Sequence, residues 1–186
     1  MNPRREQKQE TRARILASAA ETLRQRGLAA SSVGEVMAGA GLTVGGFYAH
    51  FENKDALMLE ALDQVFRQRR ALLLGLVQPG TPAEQRKQAA RAYLSRKHRD
   101  MDDQCCPLPA ILSELPKQPD AFRALLEQHL QALLKAMVAG ESDRDAARPA
   151  ALADLATMIG ALTLARALGP TPFSDELLAA AKAAIR

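Results

Sequence analysis

Apolar positions along this chain recur every three to four residues and almost never alternate, which is the period of helices packed by one face. From about Gln9 to Arg26, Ile15, Leu16, Ala19, Ala20 and Leu23 form one stripe, and Gly27 supplies a left-handed stop. Ser32 and Glu35 make a capping box for a short helix over Val33 to Ala40, in which Val36, Met37 and Ala40 point inward before Gly41 ends it. Thr43 is placed to cap a third helix. Asn53 caps a long fourth, whose Leu57, Ala61, Leu62, Val65, Leu72, Leu73 and Leu76 keep helical spacing until Pro79 and Gly80.

Thr81, Pro82 and Glu84 open a basic fifth helix that fades near Arg99, and Pro107, Pro109 and Pro116 confine a sixth to about two turns. Asp120 to Val138 is strongly amphipathic, with Phe122, Leu125, Leu126, Leu130, Leu133, Leu134 and Met137 on one face and His129 on the same stripe. "GESDRDAARP" reads as an exposed loop, Ala150 to Leu168 as an eighth helix, and Ser174 as the cap of a ninth. The pattern predicts an all-α fold of about nine helices.

Composition changes this picture little. At 47% hydrophobic and 25% charged residues the chain is an ordinary globular protein. The charged N-terminus excludes a secretory signal, and no stretch is expected to stay apolar long enough to span a bilayer, which implies a cytoplasmic protein. Cys105 and Cys106 are adjacent, which suits neither a disulfide framework nor a zinc site. A net charge of +4 hints only weakly at a polyanionic partner. Two runs concentrate the charge: Arg4, Arg5, Lys8, Arg12 and Arg14, and Arg86, Lys87, Arg91, Arg96, Lys97 and Arg99. Either run reads as a solvated helix face, the second more so than the first.

One stretch resists the helical pattern. In "GLTVGGFYAHFENKDAL", Gly45 and Gly46 stand where a helix is expected, and each glycine there costs about 1 kcal/mol relative to alanine. A short helix, the tight turn "AGAGLT" and a second short helix packed on a longer one make a helix-turn-helix, whose second helix would enter a DNA major groove. Phe47 and Phe51 fall on its inner face. Thr43 and the free N–H groups after it suit a phosphate at the helix N-terminus, and Lys54, Tyr48 and His50 can reach backbone oxygens. Ser32 is a cap with a further phosphate contact as an open alternative. With the side chains omitted at Gly45 and Gly46, the helix could approach DNA closely.

"TRARILASAAETLRQRGLAASSVGEVMAGAG" followed by that stretch resembles the DNA-binding domain of the tetracycline-repressor (TetR) family, over about residues 9 to 60, with Gly27, Gly41, Gly45, Tyr48, His50, Phe51, Lys54 and Leu57 in register. The resemblance implies a helix-turn-helix domain over residues 1–52, followed by a helical effector-binding and dimerisation domain over 53–186. It further implies a homodimeric regulator, usually a repressor released from a palindromic operator by a small molecule. Phosphate-contacting positions fall on Thr43, Tyr48 and Lys54, with His50 nearby. Val44 and Ala49 depart from the larger or polar residues frequent there, so Arg4 and Arg5 entering a minor groove are expected to add specificity.

For the second domain, Phe66, Tyr93, Phe122, His129 and Met158 are candidate lining residues of an effector cavity. Cys105 and Cys106, at the mouth of the sixth helix, are candidates for a thiol that senses oxidants or electrophiles, since a helix N-terminus lowers thiol pKa. A buried structural thiol and a core histidine are the plainer readings of Cys106 and His129. Leu152, Leu155, Ile159, Gly160, Leu162 and Thr163, with Leu178, Ala181 and Ile185, are candidates for a dimer seam built as a four-helix bundle or, residue by residue, for the protomer's own core. No nucleophile-base constellation, metal cluster or phosphate-cradling glycine motif is present in the sequence, so neither an enzyme nor a metal or cofactor is expected. The competing function class is a helical interaction or carrier protein that keeps the module without specific operator binding.

Overall fold

A computed structural model describes residues 3–100 and 106–185. Among these residues there are nine α-helices and two 3₁₀-helices: α1 Pro3–Arg26, α2 Val33–Gly39, the 3₁₀ turn Val44–Ala49, α3 Lys54–Gly75, α4 Pro82–Tyr93, α5 Arg96–Asp100, α6 Leu108–Ile111, the 3₁₀ turn Leu115–Lys117, α7 Asp120–Met137, α8 Arg144–Leu168 and α9 Pro172–Ala184. No strand occurs among them. The all-α expectation holds.

Local chemistry explains most boundaries. Ser32 and Glu35 close the predicted capping box, as do Thr81 and Glu84, and the Asn53 side chain accepts from the Ala56 N–H at 2.8 Å. Elsewhere the starts differ. Helix α1 begins at Pro3, six residues before the expected Gln9, because proline is well suited to a first helical position where its missing N–H has no partner to lose. Helix α8 also begins early. Asp143 accepts from the N–H groups of Asp145 and Ala146, and this cap carries the helix past Pro149, whose ring faces solvent. Thr171, not Ser174, caps α9. The Ser174 hydroxyl is buried and donates instead to the Ala165 carbonyl at 3.1 Å.

The expected fifth helix is two helices, α4 and α5. Ser95 interrupts it: its hydroxyl donates to Ala92 O and accepts from the His98 N–H, a local pairing that competes with the helical ladder. The basic run there is only partly a solvated face. Arg86 is half-buried against Glu141 at 2.5 Å and Asp154 at 3.6 Å, and Arg99 is buried between Asp100 and Asp175.

One large core runs through the molecule, with a smaller cluster of Leu134, Val138 and Ala151 apart from it. Ile15, Leu16 and Leu23 of α1, Val36 and Met37 of α2, and Phe47 and Phe51 pack on Leu57, Met58, Ala61 and Leu62 of α3. The same cluster continues through Phe66 and Leu73 to Tyr93, Leu108, Phe122, Met158, Leu162 and Leu178. Leu72 and Leu76, expected on the buried stripe, are exposed near the end of α3, where fewer helices flank it. Helix α8 corrects another expectation, being long and apolar enough to cross a membrane by length and composition alone. Its Ala151, Leu155, Met158, Ala161, Leu162 and Ala165 are buried in the protein core, which accounts for that composition in a packed helix.

The two ends of the fold are also joined by hydrogen bonds. Past α6, the Glu114 carboxylate accepts from the N–H groups of Leu28 and Ala29 at 2.6 and 2.9 Å, beside Gly27, whose φ of 77° takes the chain out of α1. Any side chain at Gly27 would strike Glu114 and Ala110. Replacing Glu114 by Ala leaves both donors without that acceptor and is expected to cost about 1–3 kcal/mol in urea unfolding. A loss below about 0.5 kcal/mol would contradict this linking role.

Candidate DNA-contact surface and internal cavity

The segment after α2 presents an outward surface. Leu42 N–H closes on Met37 O at 2.8 Å, and Arg14 donates to Ala40 O at 2.5 Å, fixing the turn that leads to Thr43. Val44–Ala49 winds as a 3₁₀ turn with Phe47 and Phe51 inward, stacked at 5.9 Å. Tyr48 packs edge-on against Phe47 at 5.2 Å yet is 77% exposed, and Val44 is 51% exposed. Thr43, Gly45, Gly46 and Ala49 are exposed with them.

The 3₁₀ geometry weakens the helix-dipole contribution expected at Thr43. A turn this short has little macrodipole, and Thr43 makes no side-chain cap bond, so phosphate attraction here has to come from side chains. Those side chains are close by. Lys54 opens α3 and is half-buried. His50 has a buried Nδ1 without a partner among the described residues, and burial together with the charges of Lys8 and Arg12 holds its pKa below the ordinary value. Arg12 is committed elsewhere, to an ion pair with Glu60 and to the face of Phe51 at 4.5 Å. Ser32 is engaged with Glu35, which in turn pairs with Arg26. Arg4 and Arg5 sit exposed on the first turn of α1 and not on an extended arm.

The two glycines are not required by the protein itself. Neither has a positive φ. A Cβ at Gly45 would meet nothing within 4 Å, and one at Gly46 only Met37 Cε at 3.9 Å, an ordinary contact.

Beneath α3 lies a cavity of about 60 Å³, enclosed by α3, α4, α7 and α8 and by the segment leading into α6. Of the candidate lining residues, Phe66, Tyr93, Cys106, His129 and Met158 meet there. Phe122 does not, being buried in the core, and Cys105 lies outside the described residues. The sequence reading missed Arg69 and Arg70 in its wall. Phe66, Arg70 and Leu73 do share a helical face by spacing, a signal the leucine stripe overshadowed.

Two histidines organise the polar side of this region. The His98 ring, missed from sequence, accepts at Nε2 from the Cys106 N–H (3.1 Å) and from Arg69 (3.0 Å), so its proton sits on Nδ1 and is donated to Tyr93 O at 2.7 Å. Burial, together with Arg69 and Arg166, outweighs that bond and lowers its pKa to about 4. His129 has the opposite tautomer. Arg70 donates to its Nδ1 at 3.1 Å, and its Nε2–H is given to Asp63 at 2.7 Å. Burial raises the Asp63 pKa, but hydrogen bonds from Arg67 and His129 bring it below the ordinary value.

Cys106 takes the plainer of its two readings, a buried thiol and not a reactive thiolate. Helix α6 is a single turn, Cys106 is 5% exposed, and burial raises its thiol pKa. The Tyr93 hydroxyl neighbours that thiol, and burial keeps it firmly protonated. No described group bonds to it at hydrogen-bonding geometry.

The expected seam divides into two sets. Leu155, Leu162, Leu178, Ala181 and Ile185 turn into the protomer's own core, because the buried stripe of α8 is centred on Met158 and packs on α9. Leu152 and Gly160 face out, with Ile159 and Thr163 at the edge. Leu164, Leu168 and Phe173 are exposed apolar residues that the sequence reading left aside.

Residues 15–61 match the family described as bacterial regulatory proteins, tetR family. Among solved structures, the chain superposes on E. coli NemR in its reduced form with a TM-score of 0.78 and 20% identity, covering 95% of each chain. It superposes on a TetR-family transcriptional regulator from Cytophaga hutchinsonii with a TM-score of 0.77 and 24% identity, covering 96% of this chain and 94% of that one. A third, from Agrobacterium tumefaciens, gives 0.79 and 21%, with 96% and 98% covered. Among curated proteins no sequence matches. At these identities the structures establish a shared fold.

The His98 geometry has a pH signature. Its folded pKa lies below the unfolded value of 6.5, so the unfolded chain binds more protons between those values and stability is lost as pH falls through that window. Between pH 7 and pH 5 the loss from this group is about 2 kcal/mol. In urea unfolding, His98→Gln is expected to flatten this slope relative to the parent chain. An equal slope in both proteins would contradict it.

Proposed function

Residues 15–61 place this chain in the tetR family of bacterial regulators, and from that premise we propose that it is a cytoplasmic, ligand-responsive repressor. It binds a palindromic operator as a homodimer and leaves DNA when a small molecule occupies the cavity beneath α3. Its parts are the DNA-binding domain over residues 1–52 and the effector and dimer domain over 53–186, with α3 opening the second and packing against α1 of the first. No catalytic role is assigned.

The observation that carries the DNA-binding part is the outward face of the 3₁₀ turn. Tyr48 is exposed with its ring steadied by Phe47, and two glycines leave side chains out where the protein's own packing would accept them. Such an arrangement suits a surface that must be approached closely by something outside the protein. Tyr48, His50, Lys54 and Thr43 then serve the phosphates, with Ser32 beside them. Val44 and Ala49 offer only apolar contacts to bases, and Arg4 and Arg5, carried on α1, reach the backbone or groove beside the turn.

The dimer forms through the outward faces of α8 and α9. Leu152, Gly160, Leu164 and Phe173 are the residues available there, in place of the buried half of the expected seam. Release follows from the linkage through Glu114. Cys106 and Leu108 line the cavity, Leu108 begins α6, and Glu114 just beyond it holds the end of α1, so widening the cavity shifts the support of the DNA-binding domain.

Gel-shift titration against a palindromic site and random duplex, each over a range of salt, tests the reading. Affinity is expected to fall steeply with salt and to favour the palindrome. Equal affinity for both duplexes would overturn operator recognition. Tyr48→Phe and Lys54→Ala are each expected to weaken binding about five- to tenfold on every sequence without altering preference. A changed preference would contradict their phosphate role. Gly46→Ala is expected to fold with no loss of stability and to bind DNA at least about tenfold more weakly, since the added methyl meets DNA and not protein. Undiminished affinity would remove close approach as the reason for the second glycine.

A further inference from the structure

The cavity beneath α3 is apolar over most of its wall, yet the polar groups it leaves available are all donors. Arg70 forms no ion pair with any described residue, and its described hydrogen bond is to the His129 ring. The Tyr93 hydroxyl has beside it only the Cys106 thiol, a weak partner that falls short of bonding geometry. The acceptors nearby are already used. His129 Nδ1 takes a proton from Arg70, His98 Nε2 takes two, and Asp63 is shared by His129 and Arg67. Arg69 shares the wall with Arg70, while Arg166 donates to the carbonyls of Cys106 and His98. Arg70 thus brings a positive charge to a space where apolar walls weaken screening.

We propose that this cavity takes a compact organic acid, with its single carboxylate on Arg70 and Tyr93 and its apolar body against Phe66, Leu130 and Met158. A carboxylate matches both vacancies at once: the guanidinium offers two parallel N–H groups and the phenol an O–H. A neutral ligand of the same shape satisfies the apolar wall only. A cation meets the like charge of Arg70. His129 is a positioning residue, because its bond to Asp63 holds the ring that steadies Arg70. At about 60 Å³ the space holds a few water-sized groups, so a ring-sized acid enters by moving the wall apart.

This inference rests on reading the cavity as the effector site, and its test uses no DNA. Isothermal titration of the full chain with benzoate, benzamide and benzylammonium compares three probes of nearly one shape and different charge. Benzoate is expected to bind at least about tenfold more tightly than benzamide, with benzylammonium weakest. Arg70→Met is expected to bring benzoate down to the benzamide level while leaving benzamide binding intact. Tyr93→Phe, a smaller change, should reduce benzoate affinity about fivefold and benzamide affinity little. Thermal unfolding of each variant verifies that it is folded. Benzamide or benzylammonium binding as tightly as benzoate, or a benzoate preference that survives both substitutions, would overturn the proposal. A chain that prefers benzoate but binds no palindrome would instead overturn the repressor reading and leave this one standing.

Discussion

The DNA-facing end and the cavity end of this molecule share one helix, α3. Its 22 residues give a rod of about 33 Å, and its apolar stripe has to be covered along most of that length. The first half is covered by α1, α2 and the 3₁₀ turn through Leu57, Met58, Ala61 and Leu62. The second is covered by α4, α7 and α8 through Phe66 and Leu73. Because one helix serves both packings, the exposed turn at one end and the cavity at the other share a stiff element with no linker between them. Their relative placement is a property of the core.

The polar groups that might have disrupted this core are tied into it. Arg99 lies between Asp100 and Asp175 and also reaches the Ser174 hydroxyl, joining α5 to the start of α9. Arg166 of α8 holds the carbonyls of His98 and Cys106. Removing one member of such a set leaves a buried charge or donor unpaired, so the network fixes one arrangement more than it adds stability. The incomplete places stand out against it: Tyr93 and Arg70 at the cavity, and His50 beside the exposed turn. These are the positions where something outside the chain can complete the hydrogen bonding.

Helix content, capping boxes and the burial of Phe47 and Phe51 were legible because they depend on residues within a turn or two of each other. The early starts of α1 and α8 were not, since they turn on whether a proline acts as a first-turn residue or a breaker, which the Asp143 cap decides for Pro149. The split between α4 and α5 came from one serine preferring its neighbours' backbone. The cavity was partly legible. Spacing put His129 on an apolar stripe and Phe66 was a lining candidate, but the roles of Arg70, Asp63 and His98 depend on contacts between residues 29 to 66 positions apart. How the seam candidates divide between core and outward face was not legible, because an apolar stripe on α8 looks the same whether it meets α9 of its own chain or a second copy.

The central claim is that the exposed turn reads DNA for a two-fold symmetric protein. Selection of bound duplexes from a random pool by the purified full-length chain, followed by sequencing, tests it most directly. Enrichment of an inverted repeat, with half-sites about one helical turn apart or a multiple of it, is the predicted result. A bound pool indistinguishable from the input, or enrichment of a single unrepeated site, would contradict it.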